Sequence, residues 1–191
     1  MTETVGRRER KKAATRKALA DAALELFLER GYDQVSVKDV AEAADVSTTT
    51  LFKHFPSKEA LVFDEDADRE AALVAAVRER QPGQSIPQAL LGWLKGIQLS
   101  GRAEDPRLAH FIRLVQETPA LNEYGRRMWL RHEAVLSQAI AEEVGAPADD
   151  IACAALARFA LDAPFLVHGR AEGGQALDRI FELLERGWDF P

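Results

Sequence analysis

The helical spacing of apolar residues along almost the whole chain constrains the fold more than any other sequence feature. The first predicted helix covers about residues 8–30. Its apolar residues recur three and four positions apart, as expected for one buried face of a helix: Ala20, Ala23, Leu24 and Phe27. Alternating patterns typical of strands are absent from the sequence. The sequence therefore predicts an all-α fold.

Capping residues delimit the first three helices. Gly31 follows the first helix, where a left-handed cap is needed. Ser36 is placed to cap a short second helix that ends near Ala44. Ser47 is placed to cap a third helix, which stops before Pro56 because a residue that precedes proline avoids helical geometry. Two short helices joined by about three residues favour a helix-turn-helix.

Six further helices are predicted, giving about nine in all. Ser57 is placed to cap a fourth helix that continues to about Arg80, and the strongest break follows at residues 81–87. This helix is expected to be the only connection between the two halves of the chain. The remaining helices are predicted at about residues 87–100, 105–117, 119–144, 149–169 and 174–187.

Charge is distributed unevenly. Residues 1–17 contain seven basic and two acidic side chains, a balance of +5. Because the whole chain carries −6, residues 18–191 carry −11. An acidic body with a basic N-terminal arm is expected of a protein that binds a polyanion with one end, although exposed termini are also often basic for no functional reason.

Apolar residues are placed to hold the second and third helices at a fixed angle. They are Val37, Val40, Ala41, Ala44, Val46, Leu51 and Phe55. With that side buried, the other side of the third helix presents hydroxyl and cationic groups suited to a DNA major groove. Two ordinary short helices of a bundle would also fit the pattern. Agreement between caps, spacing, apolar contacts and the basic arm favours DNA binding.

Three stretches carry a family resemblance: LFLERGY at 26–32, SVKDVAEAADVS at 36–47 and TLFKHFPSKEAL at 50–61. Together they resemble the signature of TetR-type transcriptional regulators over about residues 8–63. The resemblance implies a DNA-binding domain over residues 1–56, including the basic arm, and a helical ligand-binding and dimerisation domain over residues 57–191. It also implies a homodimer that binds a palindromic double-stranded operator, acting as a repressor that a small effector releases.

The resemblance implies roles for individual side chains. Ser36, His54 and Lys58 would contact phosphates, and residues 48–50 would face base edges. The complete predicted DNA-binding set is Ser36, Ser47, Thr48, Thr49, Thr50, Phe52, Lys53, His54 and Lys58. Two positions depart from the family pattern. Asp45 stands where glycine is usual in the turn. Phe52 replaces a common tyrosine and lacks its hydroxyl, so Lys53 and the basic arm become more important for affinity.

The C-terminal half is less informative. Its last two helices are the expected dimer interface, and their apolar residues are Ile151, Ala154, Ala155, Phe159, Leu166, Ile180, Leu183 and Leu184. A core within one chain would give the same periodicity. Aromatic side chains and two polar residues on apolar stripes suggest a hydrophobic or aromatic effector. The candidate ligand residues are Trp93, Phe111, Met128, Trp129, His132, Phe159, Asp162 and Phe165, and a structural role remains open for each.

Other function classes have weaker support. The main alternative is a small cytoplasmic all-helical enzyme that uses His110, His132, His168, Asp162 and Glu133, but these residues have no recognisable catalytic or metal-ligand spacing. No catalytic residue, metal or cofactor is therefore predicted. No secretory signal or membrane-spanning stretch is found in the sequence, and the lone Cys153 fits a reducing compartment, so a cytoplasmic location without membrane contact is expected.

Overall fold

The computed structural model describes residues 6–99, 106–167 and 172–187. The described residues form nine α-helices and two short 3-10 turns, without strands, which confirms the all-α prediction. The helices are α1 Arg7–Arg30, α2 Val37–Ala43, α3 Thr48–His54, α4 Asp66–Arg78, α5 Ile86–Leu99, α6 Pro106–Glu117, α7 Pro119–Val144, α8 Ile151–Val167 and α9 Gly173–Arg186. Within the described residues, no helix is both long and apolar enough to cross a membrane.

The chain forms two compact units. Among the described residues, the first unit contains 6–66 and 106–126, and the second contains 67–99, 127–167 and 172–187. Helix α7 contributes its first eight residues to the first unit and the remainder to the second.

The first unit is built around the buried face of α1. Leu19, Ala23 and Phe27 are spaced four residues apart, and each is at most 1% exposed. Gly31 ends this helix at φ 84° and ψ 149°, so its φ is positive as expected but its ψ is extended rather than left-handed helical. The chain then enters a 3-10 turn at Tyr32–Gln34, whose Tyr32 ring lies 5.1 Å from the Phe27 ring. This turn redirects the chain from α1 into α2.

Aromatic contacts connect α6 and α7 to the same unit. The Phe63 ring stacks on Tyr124 at 5.3 Å and meets Phe111 edge-on at 6.2 Å. Gly125 of α7 lies next to the Phe63 ring, and a Cβ there would be in van der Waals contact with it at 3.4 Å. Phe63 thereby fixes the segment that precedes α4 against α6 and α7.

The prediction of a continuous fourth helix from Ser57 to about Arg80 is wrong. Ser57 Oγ instead accepts from the Ala60 backbone N–H at 3.3 Å, beginning a 3-10 turn at Glu59–Leu61, and α4 starts only at Asp66. Residues 62–65 form turns, and the Asp64 carbonyl oxygen there accepts from Arg16 Nη2 at 2.7 Å, a long-range bond that the local sequence does not reveal. The expectation that this helix alone joins the two halves is also wrong, because α7 contributes to both units.

The second unit has its own apolar core. Buried side chains from five helices form it, including Leu90 of α5, Leu136 of α7, Leu161 of α8 and Phe181 of α9, together with Leu73 of α4. Ion pairs at the surface join Arg78 to Glu142, Arg80 to Glu143 and Lys95 to Asp178. Exposed pairs of this kind contribute about 0–1 kcal/mol each, so burial of the apolar core dominates the stability of the unit.

Candidate nucleic-acid interface

Both short helices are capped as the sequence predicts. Ser36 Oγ accepts from the Asp39 backbone N–H at 3.2 Å, and Asp39 Oδ2 accepts from the Ser36 backbone N–H at 2.7 Å. Ser47 Oγ accepts from the Thr50 backbone N–H at 3.1 Å. Asp45, in the turn between the helices where glycine is usual in the family, has φ 52°, a left-handed conformation that Asp tolerates. The caps therefore define the ends of α2 and α3 from local sequence alone.

Helix α3 has one buried side and one open side. Leu51 and Phe55, at its inner side, have no exposed surface. Thr49, Phe52 and Lys53 are exposed, with 52% of Phe52 accessible. The open side therefore offers a hydroxyl with a methyl, an aromatic ring and an ammonium group, the chemistry that contacts thymine methyls, sugars and phosphates.

The other predicted DNA contacts on these helices lie around this surface. Thr48, Thr50 and His54 are half-buried, whereas Ser36 and Ser47 are exposed. Thr50 Oγ1 shares a 2.9 Å hydrogen bond with Ser47 Oγ. The structure thus brings eight of the nine predicted residues onto α3 and the two capped helix starts, while Lys58 lies beyond α3.

Lys58 is directed toward the interior of the first unit. Its ammonium donates to the Tyr32 carbonyl oxygen at 2.5 Å and lies 3.9 Å from the centre of the Tyr32 ring and 5.4 Å from that of Phe27. Burial lowers the pKa of Lys58, although nearby carboxylates oppose the shift. Lys58 therefore has a structural role in addition to the phosphate contact predicted from the sequence.

Arg16 is a functional candidate that the sequence placed only among the basic residues of the arm. Its Nη1 donates to the His54 carbonyl oxygen and its Nη2 to the Asp64 carbonyl oxygen, both at 2.7 Å. The guanidinium carbon lies 4.3 Å from the centre of the Phe55 ring. These contacts join α1 to the end of α3 and to the turn before α4. No sequence signal marks them, since the acceptors lie 38 and 48 residues away.

His54 has a perturbed imidazole. Burial lowers its pKa below the ordinary value of 6.5, and the cationic Arg16 and Lys12 lower it further. The neutral form therefore predominates at neutral pH in the free protein. A phosphate beside the ring would favour the protonated form instead.

The basic residues before Arg16 are exposed along the first turns of α1. They are Arg7, Arg8, Arg10, Lys11 and Lys12. Lys17, the last member of the basic stretch, forms an exposed ion pair with Asp21 at 2.8 Å. The described part of the basic arm is therefore helical from Arg7, and its charge faces solvent.

Four of the predicted ligand residues lie together in the second unit. Trp129 Nε1 donates to Asp162 Oδ1 at 3.2 Å, and its ring lies 6.2 Å from that of His132 and 5.1 Å from that of Phe165. His132 is 1% exposed, and its Nε2 lies 3.8 Å from Glu70 Oε2. Asp162 also accepts from Arg158 Nε at 3.0 Å. We call Trp129, His132, Asp162 and Phe165 the α7–α8 cluster.

The other four predicted ligand residues lie elsewhere. Phe111 belongs to the first unit, beside Phe63. Phe159 is 56% exposed, Met128 is buried, and Trp93 packs partly buried against the core of the second unit. Two surface grooves of about 440 and 420 Å³ lie in the second unit, the first along α4 and α7 and the second along α5, α7 and α8, and none of the eight residues lines them.

Groups suited to metal binding or catalysis are not assembled in the described residues. No cluster of three or more His, Cys, Asp or Glu side chains is positioned there to hold a metal ion. His168, one of the residues considered for the enzyme alternative, lies outside the described residues. The sole cysteine, Cys153, is buried, and burial raises its pKa above the ordinary value.

Comparison with known proteins places these features in a family. The sequence model of the bacterial regulatory proteins of the tetR family matches residues 19–64, which contain α2, α3 and the second half of α1. The chain is 36% identical over 154 residues to the HTH-type transcriptional regulator TcmR of Streptomyces glaucescens, covering 76% of this chain and 67% of that protein.

Solved structures agree over nearly the full length. FadR of Thermus thermophilus, a TetR-family repressor crystallised with lauroyl-CoA, is 26% identical with a TM-score of 0.55, over 92% of this chain and 96% of that one. GusR of Salmonella enterica, 22% identical, shares the fold with a TM-score of 0.57, over 91% and 94% of the two chains.

The family accounts for the helix-turn-helix and for its place in the fold. Its members are DNA-binding transcriptional regulators and not enzymes, so the enzyme alternative is wrong. The resemblance noted in the sequence is confirmed, as is the fold with an N-terminal helix-turn-helix. This chain belongs to the TetR family of bacterial transcriptional regulators.

Proposed function

We propose that this regulator is a repressor that binds a palindromic operator as a homodimer in the cytoplasm and is released by a small, largely apolar effector. The observation that carries the proposal is the open side of α3, where Thr49, Phe52 and Lys53 are exposed while Leu51 and Phe55 fix the helix from behind. The proposed DNA-binding domain is residues 1–56, and the proposed effector and dimerisation domain is residues 57–191.

Side chains on this surface have different proposed tasks. Thr48, Thr49 and Thr50 face base edges, where their methyls and hydroxyls give modest discrimination. Lys53, His54 and the caps Ser36 and Ser47 contact the phosphate backbone. Phe52 lacks the hydroxyl of the tyrosine common at this position and contacts sugars or thymine methyls instead. Lys58 supplies a phosphate contact while its ammonium remains bonded to Tyr32.

The basic residues of α1 contribute affinity without sequence preference. Exposed cations near a duplex release condensed counterions, with a slope of about −0.9 in log affinity against log salt per phosphate contact. Residues 7–12 supply five such cations. The remaining chain is acidic, so DNA is attracted mainly to this end of the protein.

Apolar residues on the outer face of α8 support a homodimer. Ile151 is 81% exposed, Phe159 56% and Leu166 62% in the single chain. Their spacing of eight and seven residues places them along one face of the helix. Large apolar residues concentrated on one face are typical of an interface, and a two-fold pair presents two α3 helices to two half-sites.

An apolar effector is supported by the α7–α8 cluster. Trp129 and Phe165 provide aromatic surface, while Asp162 and His132 provide polar groups that could orient a ligand. The FadR protein that shares this fold was crystallised with lauroyl-CoA, a ligand with a long apolar chain. The proposed site is this cluster, whereas Trp93, Met128 and Phe159 lie elsewhere in the second unit and Phe111 lies in the first.

Selection of bound duplexes from a random DNA pool tests operator binding. We expect recovery of an inverted repeat, because two copies of α3 related by a two-fold axis contact two symmetric half-sites. Recovery of no enriched sequence would contradict operator binding, and an enriched site without symmetry would contradict the homodimer.

Effector binding is tested separately. Lipophilic compounds that stabilise the protein in a thermal-shift screen should release it from the selected duplex, with a loss of affinity of about 5–150-fold. A Trp129→Ala variant should lose both the thermal shift and the release. Stabilising compounds that leave operator affinity unchanged would contradict the proposed coupling.

A further inference from the structure

The guanidinium of Arg16 has three contacts that together fix its position. Nη1 and Nη2 donate to two different backbone carbonyls, those of His54 and Asp64, and the guanidinium carbon lies 4.3 Å from the centre of the Phe55 ring. Arginine holds its donors in a rigid planar fork, so the two carbonyl oxygens are held at a fixed separation. All four residues belong to the first unit.

The two acceptor carbonyls lie at the end of α3 and in the turn before α4. His54 is the last residue of α3, and the final carbonyls of a helix have no partner within the helix. A cation at this end also interacts favourably with the helix dipole. Asp64 lies in the turn before α4, which begins at Asp66. Arg16 therefore determines where the C-terminal end of α3 lies relative to α1 and to this turn.

We propose that Arg16 is a positioning residue for operator specificity and does not contact phosphate. The inference rests on the proposed operator binding by α3. Base contacts require the side chains of α3 to lie within hydrogen-bonding distance of base edges. Long Lys and Arg side chains that contact phosphates can instead adjust to small shifts of the helix. Loss of Arg16 therefore affects specific binding more than binding to random DNA.

The experiment compares two duplexes, the one recovered by selection with the wild-type protein and a scrambled duplex of the same composition. Arg16→Gln should lower the operator affinity at least tenfold, with little change in affinity for the scrambled duplex and no change in salt slope. Arg16→Lys keeps the charge but not the fork, so most of the operator loss should persist. Circular dichroism and thermal melting establish that each variant is folded at the assay temperature.

Arg10→Gln is the matched control, since Arg10 is an exposed arginine on the same helix. Removal of a phosphate contact lowers both affinities in parallel and reduces the salt slope by about 0.9. The comparison therefore separates a positioning role from an electrostatic one.

Three results would overturn the proposal. The first is a parallel loss on both duplexes with a flatter salt dependence for Arg16→Gln, which would make Arg16 a phosphate contact. The second is full recovery of specificity by Arg16→Lys. The third is unfolding of both variants, which would assign Arg16 to the stability of the fold. A wild-type protein without any preference between duplexes would contradict operator binding itself and remove the basis of the inference.

Discussion

Replacement of Phe159 by alanine should weaken the homodimer while leaving the single chain stable. Complete burial of a phenylalanine side chain is worth about 1.5–3 kcal/mol. Because 56% of Phe159 is exposed in one chain, its burial against a partner contributes about 1–2 kcal/mol. A two-fold axis counts the contact twice, giving about 2–4 kcal/mol and a dimer dissociation constant that is about 30- to 1,000-fold higher in the variant.

Sedimentation equilibrium over a range of concentrations measures the dimer constant, and dilution of fluorescently labelled protein extends the range for a tight dimer. Phe52→Ala is a matched control, because Phe52 is 52% exposed and the same atoms are removed from a different surface. The control should dimerise like the wild type and bind DNA more weakly. A Phe159→Ala protein whose dimer constant equals that of the wild type would refute the assignment of this face to the interface.

Three further predictions concern the DNA-binding unit. Operator affinity should rise as the pH falls from about 8 to about 6. Burial and the neighbouring Arg16 and Lys12 keep the pKa of His54 low in the free protein, whereas a DNA phosphate would raise it, so binding takes up protons. His54→Gln should remove this pH dependence, and a pH-independent affinity of the wild type would contradict the phosphate contact. Deletion of residues 1–12 should lower DNA affinity with little change in melting temperature, since residues 7–12 are exposed, and loss of folding by circular dichroism would contradict this. Lys58→Gln should lower the unfolding free energy by on the order of 1–2 kcal/mol, because the hydrogen bond to the Tyr32 carbonyl and the contact with the Tyr32 ring are lost. The same variant should bind all duplexes more weakly. An unchanged free energy of unfolding in denaturant would disprove the structural role of Lys58.

Local signals made the helix ends predictable. Ser36 and Asp39 lie three residues apart, and the side chain of each accepts from the backbone N–H of the other, so the capping box can be recognised before any tertiary structure is known. Ser47 and the left-handed Asp45 define the turn in the same way. The open and buried sides of α3 follow from helical periodicity, which explains why Leu51 and Phe55 were assigned correctly to the interior.

Contacts between distant residues were not predictable. Lys58 was predicted as a DNA contact and Arg16 was counted only in the basic arm, but their hydrogen-bond acceptors lie 26 to 48 residues away and are backbone carbonyls, which carry no residue-specific signal. The same reason explains the false continuous fourth helix. The turns that interrupt it include Asp64, whose carbonyl oxygen accepts from Arg16, 48 residues away.

Some of the predicted ligand residues lie together in the structure, and others do not. Trp129 and Asp162 were chosen as an aromatic and a charged residue on apolar helices, and the structure joins them by a hydrogen bond across 33 residues. Phe111 was chosen for the same aromatic character but lies in the other unit beside Phe63. Residue type alone does not reveal which of several aromatic side chains lie together.

Selection from a random DNA pool, run in parallel with the wild-type protein and Thr49→Ala, tests most directly that α3 determines the DNA sequence bound. The wild type should yield an inverted repeat, and Thr49→Ala should yield the same repeat with relaxed or altered preference at corresponding positions of both half-sites. One base position typically accounts for about 1–3 kcal/mol, a change large enough to appear in the recovered sequences. Identical sequences from both proteins, or equal losses of Thr49→Ala on operator and random duplexes, would contradict base reading by this helix.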